Sequence, residues 1–139
     1  IISSDLIRSI ETAEIIGEEW DILVETDKRL REVDVGKMTG MRKKEAMKAF
    51  PKPHHRSRNR SFDFTDIEGE SAIQVLHRYQ ELLVEITRTY RSVYENSIVL
   101  VGHGTSMRNL LWHYGYKWNK PQGGFQLATF DLSALEVQH

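Results

Sequence analysis

The sequence predicts an α/β domain, with a layered, mainly parallel sheet flanked by helices. Three observations point there. The run Ile98–Val101 is apolar at every position, as in a strand covered on both faces. Ala72, Leu76, Tyr79, Leu83, Ile86, Tyr90 and Val93 recur in alternating steps of four and three, which draws one apolar stripe along a long helix. Strand-like and helix-like stretches also alternate along the chain, and that order belongs to layered α/β architectures with right-handed crossovers.

Taken in order, Ile1-Ile2 is a short apolar stub, and Ser3, Ser4 and Asp5 are residues suited to capping a helix. A helix is predicted from Leu6 to Trp20, with Ile7, Ile10, Ala13 or Glu14, and Ile16-Gly17 along one side. Ile22–Glu25 reads as a strand. The polar, Gly-punctuated stretch from Thr26 to Gly40 reads as a loop with little regular structure. Lys43–Phe50 reads as a short helix ended by Pro51. From Pro51 to Phe64 the chain is Pro-bounded and basic, which predicts a surface loop. The long helix should run from about Glu70 to Glu95, followed by the strand in "NSIVLVG". A further helix follows from Thr105 and ends at Gly115, and Phe125–Leu132 alternates enough for a final strand. There is no internal repeat and no low-complexity segment.

Bulk properties exclude several classes. Of 139 residues, 40% are hydrophobic and 28% charged, with a formal net charge of -1, which favours neither nucleic acid nor an anionic membrane as partner. The absence of cysteine removes disulfides and thiolate chemistry. No run reaches the length of a membrane span and no signal peptide is visible, so a cytoplasmic protein is expected. The chain opens on "IISSDL" without an initiator Met and closes shortly after a strand-like run. It therefore reads as one partial domain over residues 1–139, incomplete at its N-terminus.

Two junctions share one design. Ile1-Ile2 leads through Ser-Ser-Asp into a helix, and Ile98–Val101 leads through Gly-His-Gly into a helix capped by Thr105 or Ser106. Ligands of open α/β sheets bind at such strand ends, and a helix N-terminus suits an anion. Gly102 and Gly104 would let the backbone approach that anion. His103 is either a turn histidine without chemistry or an imidazole facing the ligand. Arg8 opposes the dipole of the first helix, so it needs Asp5 or Glu11 as a partner, or a bound phosphate. Glu32, taken alone, is a solvated charge. His54-His55 lacks a flanking carboxylate cluster, so no metal is expected. Arg56, Arg58 and Arg60 read as a solvated loop, and the glycosylation triplet at Asn59 carries no weight without a secretory signal.

Together, "SSDLIRSIETAEII", "RLREVDVGKMTG", "GESAIQVLHR" and "SIVLVGHGTSMRNLL" resemble the ordered motifs of the histidine phosphatase superfamily, with its phosphoglycerate mutase-like fold. The resemblance implies that Arg8 binds the transferred phosphoryl group. It implies that Glu32 is the general acid and that His103 contacts the phosphoryl oxygens beside the nucleophile. It implies a small phosphorylated substrate and neither metal nor cofactor. Positioning and charge stabilisation are what phosphoryl transfer requires of a protein, and a carboxyl beside a bound phosphate holds its proton to higher pH. The family's nucleophile lies in an Arg-His-Gly segment, and no Arg-His-Gly occurs in this chain. The expectation is a phosphomonoester hydrolase working through phosphohistidine, with the chain as given inactive. The nucleophile's strand is expected beside Ile98–Val101. The alternatives are a phosphoglycerate mutase and a non-catalytic phospho-ligand or interaction protein of the same fold. Oligomeric state is not encoded in any motif found.

Overall fold

The computed structural model describes residues 1–52, 55, 61–90 and 97–117. Three short parallel strands form a sheet: β1 (Ile2–Ser3), β2 (Glu25–Thr26) and β3 (Leu100–Val101), in the order β2-β1-β3. Ile2 stands opposite Glu25 on one side and Leu100 on the other. Among the described residues four α-helices accompany them: α1 (Ile7–Trp20), α2 (Lys43–Ala49), α3 (Ala72–Thr89) and α4 (Gly104–His113). The expected α/β class, a parallel sheet flanked by helices, is the one observed. β1, the short stub of the sequence reading, is the middle strand. β3 is half-buried rather than covered on both faces, and its edge away from β1 has no strand partner among the described residues.

Helix α1 spans the predicted range and buries Ala13 and Gly17 of the predicted side, with Ile10 and Ile16 half-buried, but Ser9 takes the inward place expected of Ile7. Ser9, Ala13 and Gly17 are its buried residues, four apart, while Ile7 is 69% exposed. Small side chains let the helix lie close on β1 and β3, a contact that branched Ile7 would hold apart. The strand expected at Ile22–Glu25 is shifted to Glu25–Thr26. The Ile22 N–H bonds back to the Gly17 carbonyl (2.9 Å) to finish the helix, so the chain reaches the sheet only where Glu25 N–H meets the Ile1 carbonyl (2.9 Å).

The stretch expected as an irregular loop is firmly built. It makes 3-10 turns at Lys28–Leu30 and Gly36–Met38, and it buries Leu30 and Val33. Gly36 has φ +56, and a methyl there would lie 2.0 Å from the Ile67 carbonyl oxygen. The expected surface loop from Pro51 is corrected as well. His55, Phe62 and Phe64 are buried, with the His55 ring stacked on Phe64 (5.8 Å) and its Nε2 on Asp66 (2.7 Å). Aromatic area outweighs the loop's charge there. His54, Arg56, Arg58 and Asn59-Arg60 lie outside the described residues, as does the strand expected at Phe125–Leu132.

Helix α3 starts two residues later than predicted because the Glu70 N–H is held by the Asp34 carbonyl (2.8 Å). Ser71 caps it in a reciprocal box with Gln74, each satisfying the other's N–H. Its buried face contains Ala72, Tyr79, Leu83 and Ile86 as expected, joined by Val75 and Leu82; Leu76 is half-buried. This stripe meets Leu110 of α4 and Leu30 of the loop in one core. Asn109 of α4 donates to the Ala72 carbonyl (2.7 Å), which fixes α4 against the first turn of α3. Among the described residues no helix is long and apolar enough to cross a membrane.

Candidate active site

The site lies where β1 and β3 end. After β3 the chain passes Gly102 and enters α4 at His103, whose extended backbone (φ -124, ψ 155) makes it the N-cap. Thr105 and Ser106 were the expected caps; they sit inside the first turn instead. Gly102 is explained by packing, since a methyl there would lie 2.9 Å from Met107 Cε and 3.1 Å from the Tyr79 hydroxyl. Gly104 faces outward, and its nearest neighbour would be Arg108, 4.0 Å away. Of the two glycines, only Gly104 leaves the backbone open to a ligand.

His103 is 7% exposed, and its Nε2 lies 2.9 Å from Ser4 Oγ and 3.2 Å from Ser9 Oγ. Ser4 comes from the end of β1 and Ser9 from α1, so the imidazole joins the two junctions. Hydroxyls both donate and accept, and the pair suits either tautomer of the ring. Burial, and then the nearby charge of Arg8, lower the His103 pKa below its ordinary value, so the ring is neutral at pH 7.

Glu32 is not the solvated charge that its sequence context suggests. Its carboxylate accepts from the backbone N–H of Ser106 (2.9 Å), the Ser106 hydroxyl (2.9 Å), the N–H of Thr105 (3.1 Å) and the N–H of Val33 (3.0 Å). Two of these donors are free N–H groups of the first turn of α4, and the carboxylate also lies at the positive end of that helix. Burial pushes the Glu32 pKa up, but the hydrogen bonds to Thr105, Val33 and Ser106 outweigh it and bring it below the ordinary value. An anion does occupy the N-terminus of α4, and it is the protein's own carboxylate.

Arg8 is exposed in the first turn of α1, and its guanidinium makes no ion pair or hydrogen bond among the described residues. Asp5 is committed elsewhere, to a bidentate pair with Arg31 (2.6 and 2.6 Å). The cation therefore stays available while its charge reaches His103. The structure thus gathers Arg8, Glu32, His103 and Gly104 around one pair of helix N-termini. His55 lies apart, in the core.

Sequence reasoning missed Ser4 and Ser9 as partners of His103, and Ser106 as a partner of Glu32. Ser9 had one usable signal, a hydroxyl on the face that carries Ala13 and Gly17. Glu70 and Arg78 were noticed only as part of a motif. They form an ion pair (2.9 Å) beneath the loop that carries Glu32.

Parallel strands that end in helix N-termini, with a buried histidine and an arginine without a partner among the described residues at those ends, define an α/β domain with its polar cluster at the strand ends. The sequence profile of the histidine phosphatase superfamily (branch 1) matches residues 1–139, and the chain belongs to that family. Among solved structures, the chain is similar to the complex of mycobacterial glucosyl-3-phosphoglycerate phosphatase with inorganic phosphate. Identity is 30%, over 79% of this chain and 55% of that one, with a TM-score of 0.66. Mycobacterial hydrolase 2 matches at 29% identity over 78% of this chain and 48% of that one, with a TM-score of 0.68. The Bacillus stearothermophilus protein YhfR shares the fold at 22% identity, over 87% of this chain and 61% of that one, with a TM-score of 0.68. The chain thus spans 48% to 61% of the length of these structures. No curated protein matches it. Family membership carries phosphatase-type function at the level of the family.

Proposed function

We propose that these residues bind and protonate a small phosphomonoester that is hydrolysed through a phosphohistidine intermediate. Arg8, His103 and the Gly104 N–H hold the phosphoryl oxygens. Glu32 gives its proton to the leaving oxygen as the ester P–O bond breaks and a P–N bond forms to the attacking histidine. Water then attacks phosphorus and loses a proton to the Glu32 carboxylate, and the P–N bond breaks to release phosphate. The reading needs no metal or cofactor.

The observation that carries it is the docking of Glu32 on the two residues next to Gly104. A carboxylate held there is poised beside a phosphoryl group bound at His103. Before substrate arrives it is ionised, because Thr105 and Ser106 stabilise its charge. A phosphoryl dianion at the same helix end repels that charge and competes for the same donors. Its arrival would raise the Glu32 pKa and load the proton that the leaving group needs.

The attacking histidine is not among the residues gathered here. The 139 residues contain no Arg-His-Gly, and in this reading turnover requires a histidine that they do not supply. That same observation favours a second reading, a phospho-ligand-binding protein of the same fold. The full-length protein separates the two. On the first reading it hydrolyses phosphomonoesters, and Glu32→Gln lowers kcat by roughly 100-fold or more for poor leaving groups while largely sparing p-nitrophenyl phosphate. Phosphate binding without turnover supports the second reading. Equal losses for good and poor leaving groups remove Glu32 as the general acid.

A further inference from the structure

We infer that Arg78 is the positioning residue that sets where the Glu32 carboxylate stands. The inference rests on the reading of Glu32 as proton donor. Arg78 lies on α3 and reaches under the chain that leads into Glu32. Its Nη1 donates to the carbonyls of Arg29 (2.5 Å) and Arg31 (2.9 Å), and its Nη2 donates to the Glu32 carbonyl (3.3 Å). One guanidinium thus gathers three carbonyls from four consecutive residues.

The guanidinium is itself held. Glu70 accepts from its Nε (2.9 Å) and Nη2 (3.0 Å), and Glu70 Oε2 also accepts from the Asp34 N–H (2.9 Å). The Glu70 backbone N–H returns a bond to the Asp34 carbonyl (2.8 Å). The segment from Arg29 to Asp34 is therefore pinned on both sides of Glu32. Tyr79, the next residue on α3, adds a bond from its hydroxyl to the Leu30 carbonyl (3.0 Å). With the backbone fixed at these points, the Glu32 side chain has only a short reach to Thr105 and Ser106. Lysine cannot reproduce the arrangement, because one ammonium does not present a planar fork to three carbonyls and a carboxylate together.

Two measurements on the full-length protein test this. The amide resonances of Thr105 and Ser106 report the titration of the carboxylate that they bind. In Arg78→Lys and Glu70→Gln their midpoint should rise towards the ordinary carboxyl range while the thermal melt stays cooperative. An unchanged midpoint in both variants overturns the inference. In kinetics, Arg78→Lys should lower kcat about 10- to 100-fold for poor leaving groups and much less for p-nitrophenyl phosphate, because a misplaced proton donor is the defect. Combined with Glu32→Gln, it should add little further loss. Full additivity overturns the inference. If Glu32→Gln itself shows no leaving-group dependence, the proton-donor reading fails, and the amide titration still decides whether Arg78 places the carboxylate.

Discussion

The two strand-to-helix junctions look alike in sequence and treat charge in opposite ways. At the end of β3, the first turn of α4 has its free N–H groups filled by Glu32, which arrives from a loop more than seventy positions upstream. At the end of β1, the N-cap of helix α1 is Leu6, which makes no side-chain cap bond, Asp5 is taken by Arg31, and Arg8 has no partner among the described residues. One junction has an internal anion in place, and the other has a spare cation. His103 bridges them through Ser4 and Ser9. In the proposed function, a phosphoryl group entering between them would meet a cation that no other described residue holds and a carboxylate whose charge it repels, which favours uptake of a proton from solvent. The difference shows that a helix N-terminus is not free for ligand merely because its sequence is right. Which anion sits there depends on what the rest of the fold delivers.

Breaking the cation side should have the largest effect. Arg8→Ala in the full-length protein should raise KM and lower kcat together, with a loss of roughly 30- to 1000-fold in kcat/KM, the usual cost of a bidentate charge-assisted contact. Steady-state kinetics on any hydrolysed phosphomonoester measures this. A change below threefold would place Arg8 outside the phosphoryl site.

Breaking the anion side should show in stability as well as in the leaving-group dependence of kcat. Glu32→Ala leaves the Thr105 and Ser106 N–H groups without their acceptor and should cost about 1–2 kcal/mol in urea denaturation, as the loss of a helix cap does. The pH dependence sharpens the point. Glu32 titrates below 4.5 when folded, so between that lowered value and 4.5 the unfolded chain binds more protons. Its contribution is complete above 4.5 and is lost as pH falls through the folded value. His103 titrates below 6.5 when folded, so stability also declines as pH drops from 6.5 towards its lowered value. Glu32→Gln should make the acidic slope shallower, leaving the share of Asp5, Asp27 and Asp66, whose pKa values their basic partners also lower, and should leave the slope below 6.5 unchanged. An acidic slope as steep as in the unsubstituted protein would mean that Glu32 is not docked as described.

Much of this was legible where the physics is local. The α3 stripe follows from helical spacing, and α4 follows from an apolar strand running into Gly-His-Gly. The resemblance of the ordered motifs implies one site for Arg8, Glu32 and His103, and the fold brings all three to the same pair of helix ends. What stayed hidden depends on partners distant in sequence. Thr105 and Ser106 look like caps because their hydroxyls suit that role, but a remote carboxylate takes their N–H groups and moves the cap to His103. Ala13 and Gly17 of α1 lie inward as their spacing indicates, but Ile7 looked inward too and is exposed, with Ser9 buried in its stead because small residues allow a closer approach. The basic stretch before Phe64 concealed Phe62, Phe64 and His55, whose rings pack in the core while the charges set its average polarity.

In the proposed function a phosphoryl group and the Glu32 carboxylate compete for one helix end. The most direct measurement follows the Glu32 carboxyl carbon by NMR through a pH titration of the full-length protein, with and without saturating inorganic phosphate. The midpoint should lie below 4.5 without phosphate. It should shift clearly upward with phosphate, and not in Arg8→Ala at the same concentration. Phosphate that binds while the Glu32 midpoint stays where it was would mean that the two anions do not share that helix end.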